Sequence, residues 1–253
     1  MTLVETHLAD GVLTVTLADE DNRNALSSRL TTELLEALDE ADVNPAGRGV
    51  VLTNRGRVFC AGADLSEQSS TSRASGKPTD PVRLFGRFRE SPKPYVGRIA
   101  GHCVAGGMGL AAAMDISIAI EDAKFGFTEV RIGVAPAMIS VVCLPKMRPA
   151  EAREAFLRGN RFPAAEAARM GLINAAVPVG ELDAAGDAVI ADRKAGGPEA
   201  LAAVKQLASR VPGMSVDEAF EWTAELSANL FRGEEAAEGM RAYMDKRPPS
   251  WGS

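Results

Sequence analysis

The chain has 253 residues, 46% of them hydrophobic and 25% charged, proportions of an ordinary folded protein that exclude disordered, collagen-like and disulfide-scaffold chains. At roughly 150 residues per domain, this length makes one large domain or one with a small appendage. Twenty-eight basic against 34 acidic side chains leave a formal charge of −6, which argues against a broad nucleic-acid surface but leaves room for a small anion held by local charge and helix amides.

Residues 4–8 and 12–17 alternate apolar and polar side chains around Asp10-Gly11, a dipeptide that accepts the positive φ angles of a tight turn, so the chain opens with a β-hairpin. Met1 to Glu5 lack the basic start and apolar run of a signal peptide, and export is not expected. Leu30, Leu34, Leu35, Leu38 and Ala41 follow helical spacing behind a capping Ser27, which predicts a helix over 27–42, and Val50 to Leu52 form a short buried strand. Residues 66–80 are rich in Ser, Thr and Gly without an apolar face, as in a mobile surface loop or lid. A helix follows at 82–90, and Pro92 and Pro94 force an extended approach to a strand at 95–99.

Next come a helix at 105–114 that starts among glycines, a strand at 116–120 and a short one at 125–127. Repeated strand-then-helix order indicates an α/β fold with crossover connections. Beyond Ala137 the pattern is helical, at 137–147, 150–157, 164–170, 182–195, 199–211, 216–230 and 234–245. Residues 1–195 therefore read as an α/β core and 196–253 as a helical C-terminal region. The longest uncharged stretch, Ile99 to Met114, is shorter than the roughly 20 residues of a membrane helix and is interrupted by glycines, so no span is expected. Cys60, Cys103 and Cys143 are odd in number and form no CxxC, which suits a reducing cytoplasm. With only His7 and His102 and no HExxH, no histidine metal site is expected.

Two glycine-bearing turns stand where an extended segment gives way to a helix, Phe59 to Leu65 and Gly101 to Gly109. Small residues let backbone amides approach a ligand, and amides at helix starts lack intrahelical acceptors, so two such turns side by side can hold an oxyanion. Taken singly, each also reads as a tight turn with close helix packing. Gly107, Gly109 and Ala112 fit the G-x-G-x-x-A dinucleotide fingerprint with Glu129 22 residues after Gly107. The strand at 116–120 already ends in Glu121 and Asp122, however, so that match reads as chance. Glu129 lies among apolar neighbours before a Gly/Pro turn, a setting that raises a carboxyl pKa toward proton shuttling; its structural alternative is an ion pair with Arg131. Cys60 with His102 is a conceivable nucleophile and base, and each is also an ordinary packed residue.

In order along the chain, Asn22-Arg23-Asn24-Ala25-Leu26-Ser27, the Phe59 to Leu65 turn, Gly101 to Asp115, Phe125 to Gly133 with Pro136, Arg161 to Leu172, and Glu238-Gly239-Met240 with Lys246-Arg247 resemble segments of the enoyl-CoA hydratase/isomerase (crotonase) superfamily. The resemblance covers nearly the whole chain. It implies a crotonase-like spiral core of repeated ββα units, a helical C-terminal trimerisation region, and a homotrimer or dimer of trimers. It further implies an acyl-CoA thioester as substrate, with coenzyme A part of that substrate and no separate cofactor, no metal, and no nucleic-acid or membrane partner.

By the same resemblance the Ala63 and Gly106 amides form the oxyanion hole. Ala25, Asp64, Leu65 and Ser66 belong to loops along the acyl-CoA site, and Ala61 contacts the adenine end. Arg23 and Lys246 approach the CoA phosphates, and Tyr243 reaches the adenine of a neighbouring subunit. Glu129 matches the second of the two glutamates of the best-known hydratases. Gly109 stands twenty residues earlier, in place of the first. The implied activity is enoyl-CoA hydration in lipid or fatty acid metabolism, with Glu129 as general acid/base. Isomerisation of 3-enoyl to 2-enoyl thioesters is the near alternative, CoA-ester binding with little catalysis another, and a dinucleotide oxidoreductase the distant one. On this basis Gly109→Glu should raise water addition.

Overall fold

The computed structural model describes residues 2–69 and 80–252; most of the predicted lid, 70–79, lies outside the described residues. β1 (Val4–Ala9) and β2 (Val12–Leu17) form the expected hairpin, with Ala9 opposite Val12. Asp10 and Gly11 take φ of 48° and 71°, the two positive values that a tight two-residue turn needs to match the twist of its strands. α1 (Ser28–Val43) starts where Ser27 Oγ accepts from the Leu30 amide at 3.2 Å, and it buries Leu30, Leu34, Leu38 and Ala41 along one face that packs on the hairpin.

β3 (Gly49–Asn54), β5 (Tyr95–Ile99), β7 (Ile116–Ile120) and β10 (Ala175–Val177) extend the hairpin into a six-stranded sheet, β1-β2-β3-β5-β7-β10, parallel from β2 onward. β4 (Val58–Cys60), β6 (His102–Val104), β8 (Lys124–Gly126) and β9 (Phe162–Pro163) make a second sheet in that order, with only β9 antiparallel. After the opening hairpin, the pairs β3-β4, β5-β6 and β7-β8 each give their first strand to the large sheet and their second to the small one before helical segments carry the chain back. This is the ββα spiral that the resemblance implied. Sequence periodicity missed β4, β6, β9 and β10 because two or three residues are too few for alternation to register.

The helices are α2 (Leu65–Ser69), α3 (Pro81–Glu90), α4 (Gly106–Ala113), α5 (Ala137–Cys143), α6 (Pro149–Arg158), α7 (Ala164–Arg169), α8 (Leu182–Lys194), α9 (Pro198–Arg210), α10 (Val216–Arg232) and α11 (Glu234–Met244). α2 corrects the start of the predicted loop: Asp64 Oδ1 accepts from the Ser66 amide and hydroxyl at 2.9 and 2.6 Å and starts a short turn of helix. Asp80, the predicted loop's last residue, caps α3 by accepting from the Arg83 amide. α5 ends four residues short of the expected Met147: Leu144 still has helical angles, but Pro145 has no N–H with which to continue the hydrogen-bond ladder. The core lies between the large sheet and the helices, with Phe59, Phe88, Tyr95, Phe125 and Phe127 fully buried.

α9 is fastened to this core by Lys205, whose ammonium donates to the Phe88 and Lys93 carbonyls and pairs with Asp115 at 2.9 Å. α10 is different: none of its 17 residues is buried. Among the described residues, no helix is long and apolar enough to cross a membrane.

Candidate active site

The two glycine turns meet. After β4, Gly62 takes φ +91°, and a Cβ there would lie 2.6 Å from Ala105 Cβ and 2.9 Å from the Gly106 nitrogen. Only glycine allows both this backbone angle and this approach. The Leu26 amide donates to the Gly62 carbonyl at 2.7 Å, Leu26 bridges to Ala63, and the Ala61 amide donates to the Arg23 carbonyl. The 22–26 loop thus backs the first turn. That loop is wired by Asn24, fully buried at φ 51°, which accepts from the Asp19 amide and donates to the Arg55 and Val58 carbonyls.

After β6, Ala105 is held at φ 49°, ψ −123°, a conformation that costs a residue with a Cβ on the order of 1–3 kcal/mol. Its amide donates to the Gly126 carbonyl at 3.0 Å and its carbonyl accepts from Met108. Gly106 then opens α4, where its amide has no intrahelical acceptor. Gly107 lies flat on β4: a Cβ there would be 2.6 Å from the Cys60 carbonyl oxygen. Gly107 and Gly109 are thus packing positions against protein, not the approach surface of a dinucleotide.

A cavity of about 910 Å³ opens over these turns, lined by Ala61, Ala63, Leu65, Gly106 and Glu129, with an apolar wall that includes Leu84, Phe85, Met138 and Ile139. Glu129 sits in a 3₁₀ turn, Thr128–Ile132, which Gly133 ends at φ 80°. Its Oε2 is buried without a hydrogen-bond partner among the described residues, and burial holds the carboxyl above the ordinary carboxylate range. The expected structural alternative does not form: Arg131 Nε donates instead to the Gly159 carbonyl at 2.5 Å. The cavity therefore combines backbone donors suited to an oxyanion with one base of raised pKa.

Gly109 does not line the cavity. A Cβ there would stand 2.5 Å from Ile139 Cγ2 and 2.7 and 2.8 Å from Phe85 Cε1 and Cζ, so these two side chains cover the position. Asp64 and Ser66 also lie off the cavity wall. Asp64 accepts from Asn22 as well as Ser66, contacts that hold its carboxyl below its usual range, and so joins the 22–26 loop to the turn. Arg23, Ala25, Tyr243 and Lys246 are not among the residues lining the cavity of this chain, and Tyr243 is 86% exposed. Arg247 is committed to a two-pronged pair with Glu238.

Cys60 is fully buried, its thiol pushed up to about 12, and its Sγ accepts from the Gly62 amide, while His102 Nδ1 accepts from the Lys124 amide. That pair lacks the contact and the thiolate a nucleophile needs. Among the described residues, no group of three or more His, Cys, Asp and Glu is placed to hold a metal ion. Sequence reasoning missed Phe85, Ile139, Arg161 and Asn24. The first three sit in ordinary helical or loop contexts, whereas Asn24, flanked by Arg23 and Ala25 in a loop without glycine, carried the weak signal of a residue type that tolerates positive φ.

Residues 7–253 match a family model described as enoyl-CoA hydratase/isomerase. A Thermus thermophilus protein is 35% identical over 94% of this chain and 96% of its own. A crystal structure from Mycobacterium avium paratuberculosis is 41% identical, with TM-score 0.75, over 99% of this chain and 100% of that one. Both bear the name "putative enoyl-CoA hydratase". A Mycobacterium smegmatis enoyl-CoA hydratase structure is 28% identical with TM-score 0.88, covering 99% of each chain.

Proposed function

The chain belongs to the enoyl-CoA hydratase/isomerase family, and from that premise we propose that it is an enoyl-CoA hydratase that adds water across the double bond of a 2-enoyl-CoA thioester. The observation that most supports this is Glu129, whose unpartnered Oε2 belongs to the same cavity as the Ala63 and Gly106 backbones. With the thioester oxygen between those two amides, C3 becomes electrophilic. Glu129 takes a proton from water as the water oxygen bonds to C3, and the displaced π electrons move onto the thioester oxygen as an enolate. The two N–H donors stabilise that charge, each worth about 3–4 kcal/mol in sites of this type. Glu129, now protonated, returns its proton to C2. One carboxylate therefore serves as base and then acid, and no further cofactor enters the step.

A specific observation favours one second activity. Phe85 and Ile139 cover the Gly109 position where a second carboxylate would stand, and a lone carboxylate is sufficient to carry a proton from C2 to C4 of a 3-enoyl thioester. Loss of conjugated enoyl-thioester absorbance from a 2-enoyl-CoA marks hydration; its appearance from a 3-enoyl-CoA marks isomerisation. Neither change, with binding retained, identifies a CoA-ester binding protein.

The proposal also includes a homotrimer, or dimer of trimers, assembled through residues 196–253, with Tyr243 presented to a neighbour's adenine and Arg23 and Lys246 to the CoA phosphates. Support comes from α10, none of whose residues is fully buried within its own chain, and from Phe220, Phe231 and Met244, exposed apolar side chains of this region. Molecular mass in solution tests it. A cytoplasmic location is proposed from the sparse, unpaired cysteines.

A further inference from the structure

The cavity is lined by three charged side chains, Glu129, Arg131 and Arg161, in a chain whose overall charge is −6. Neither arginine pairs with a carboxylate among the described residues, although acids are close in sequence on α6. Those acids are committed elsewhere: Glu151 pairs with Arg169 and Arg148, and Glu154 with Arg158. Arg131 is anchored through Nε on the Gly159 carbonyl, which leaves both Nη groups for another acceptor. Arg161 lies two residues beyond Gly159, and its stem runs beside Gly126, where a Cβ would be 3.4 Å from Arg161 Cγ. Gly126 is the residue whose carbonyl holds Ala105, immediately before the oxyanion donor Gly106. The two arginines therefore stand at the exposed edge of the cavity, Arg131 in the turn that carries Glu129 and Arg161 beside Gly126, the residue that holds Ala105.

A guanidinium recognises carboxylate or phosphate by paired N–H donors, and two of them at one cavity edge add to the local positive potential there. We propose that Arg161 and Arg131 form an anion subsite that recognises a negatively charged group carried by the thioester substrate itself. This rests on the cavity taking acyl-CoA thioesters. Two groups supply that chemistry, a carboxylate at the far end of the acyl chain and a phosphate of coenzyme A.

The test compares wild type, Arg161→Gln and Arg161→Lys on crotonyl and glutaconyl thioesters, which differ in a terminal carboxylate. Each acyl group is presented on coenzyme A and on N-acetylcysteamine, which carries no phosphate. Recognition of an acyl carboxylate raises KM for both glutaconyl thioesters about tenfold or more in Arg161→Gln, with crotonyl KM within about twofold of wild type. Recognition of a CoA phosphate raises KM for both CoA thioesters and leaves both N-acetylcysteamine thioesters unmoved. In either case Arg161→Lys recovers part of the loss, and added salt erases the difference between wild type and Arg161→Gln. Unchanged KM for all four thioesters, or an equal fall in kcat for all four with KM unmoved, overturns the subsite. Calorimetric binding of the same thioesters to wild type and Arg161→Gln reports the subsite without turnover, so a failure of the hydratase assignment remains distinguishable. A circular dichroism melt of each variant establishes that it is folded.

Discussion

Alanine at position 109 measures how firmly Phe85 and Ile139 close the wall of the site. The added methyl would start 2.5 Å from Ile139 Cγ2 and 2.7 Å from Phe85 Cε1, against about 3.5–4.0 Å for carbons at rest. Roughly 1 Å must be found on each side. Phe85 is 6% exposed and Ile139 4%, so both move against packed neighbours. Overpacking of this kind costs about 1–3 kcal/mol, and replacing a helical glycine by alanine returns about 1 kcal/mol. Gly109→Ala should therefore be neutral to about 2 kcal/mol less stable than wild type, despite its better helix propensity. Phe85→Leu creates slack at the same point, so the double variant should be more stable than the two single changes predict, by at least about 0.5 kcal/mol. Urea unfolding of the four proteins, followed by circular dichroism, measures this coupling. Additivity within about 0.3 kcal/mol, or Gly109→Ala clearly more stable than wild type, refutes the packed wall. The same geometry corrects the expectation for Gly109→Glu: alone it should fail to raise hydration, because its carboxylate must first displace Phe85, whereas Gly109→Glu with Phe85→Ala should raise it.

Glu129→Gln keeps shape and removes the base, so kcat should fall by about 10²- to 10⁴-fold while CoA-thioester affinity stays within a few-fold; near-wild-type turnover would remove Glu129 from the chemistry. Because burial raises the native pKa of Glu129, the acid limb of kcat should lie above the usual carboxylate value of about 4.3, with activity lost as pH falls through it. Stability takes the opposite sign. The protonated carboxyl is favoured in the native state, so its contribution is complete below the unfolded pKa and is lost as pH rises through the raised native one. The melting temperature of Glu129→Gln relative to wild type should therefore increase between about pH 4 and pH 8, and a difference independent of pH would contradict this. Asn24→Ala leaves the Arg55 and Val58 carbonyls without their donor and places alanine at φ 51°. A loss of about 1–3 kcal/mol or more is expected in thermal unfolding, and a neutral result would show that water takes over those contacts.

Legibility in the sequence followed the length scale of each cue. The hairpin was readable because Asp10-Gly11 carries its own turn geometry, and α1 because Leu30, Leu34 and Leu38 repeat on successive turns of one helix face. The small sheet was not, since its register depends on Cys60 meeting Cys103 and Cys103 meeting Phe125 across the fold, which no local pattern encodes. At the site, the two glycine turns and Glu129 could be named because each combines unusual residue types in one short segment. Their convergence could not be deduced from spacing; the family resemblance supplied it. Phe85 looked like any apolar residue on the inner face of α3, and its cover over Gly109 depends on α3 and α5 meeting α4.

The small sheet also has a consequence for how the enzyme fails. Its strands are three, three, three and two residues long, and such short pairings contribute little stability of their own. Yet β4 and β6 carry the two glycine turns, and β8 leads directly into the turn that holds Glu129. The proposed catalytic arrangement is thus mounted on the more weakly paired layer, while the six-stranded sheet and the helices supply most of the regular structure. Partial opening of that layer would disperse the site without dissolving the rest. On gradual heating, turnover should disappear before the helical signal does, and the amides of β4, β6 and β8 should exchange hydrogen faster than those of β3, β5 and β7.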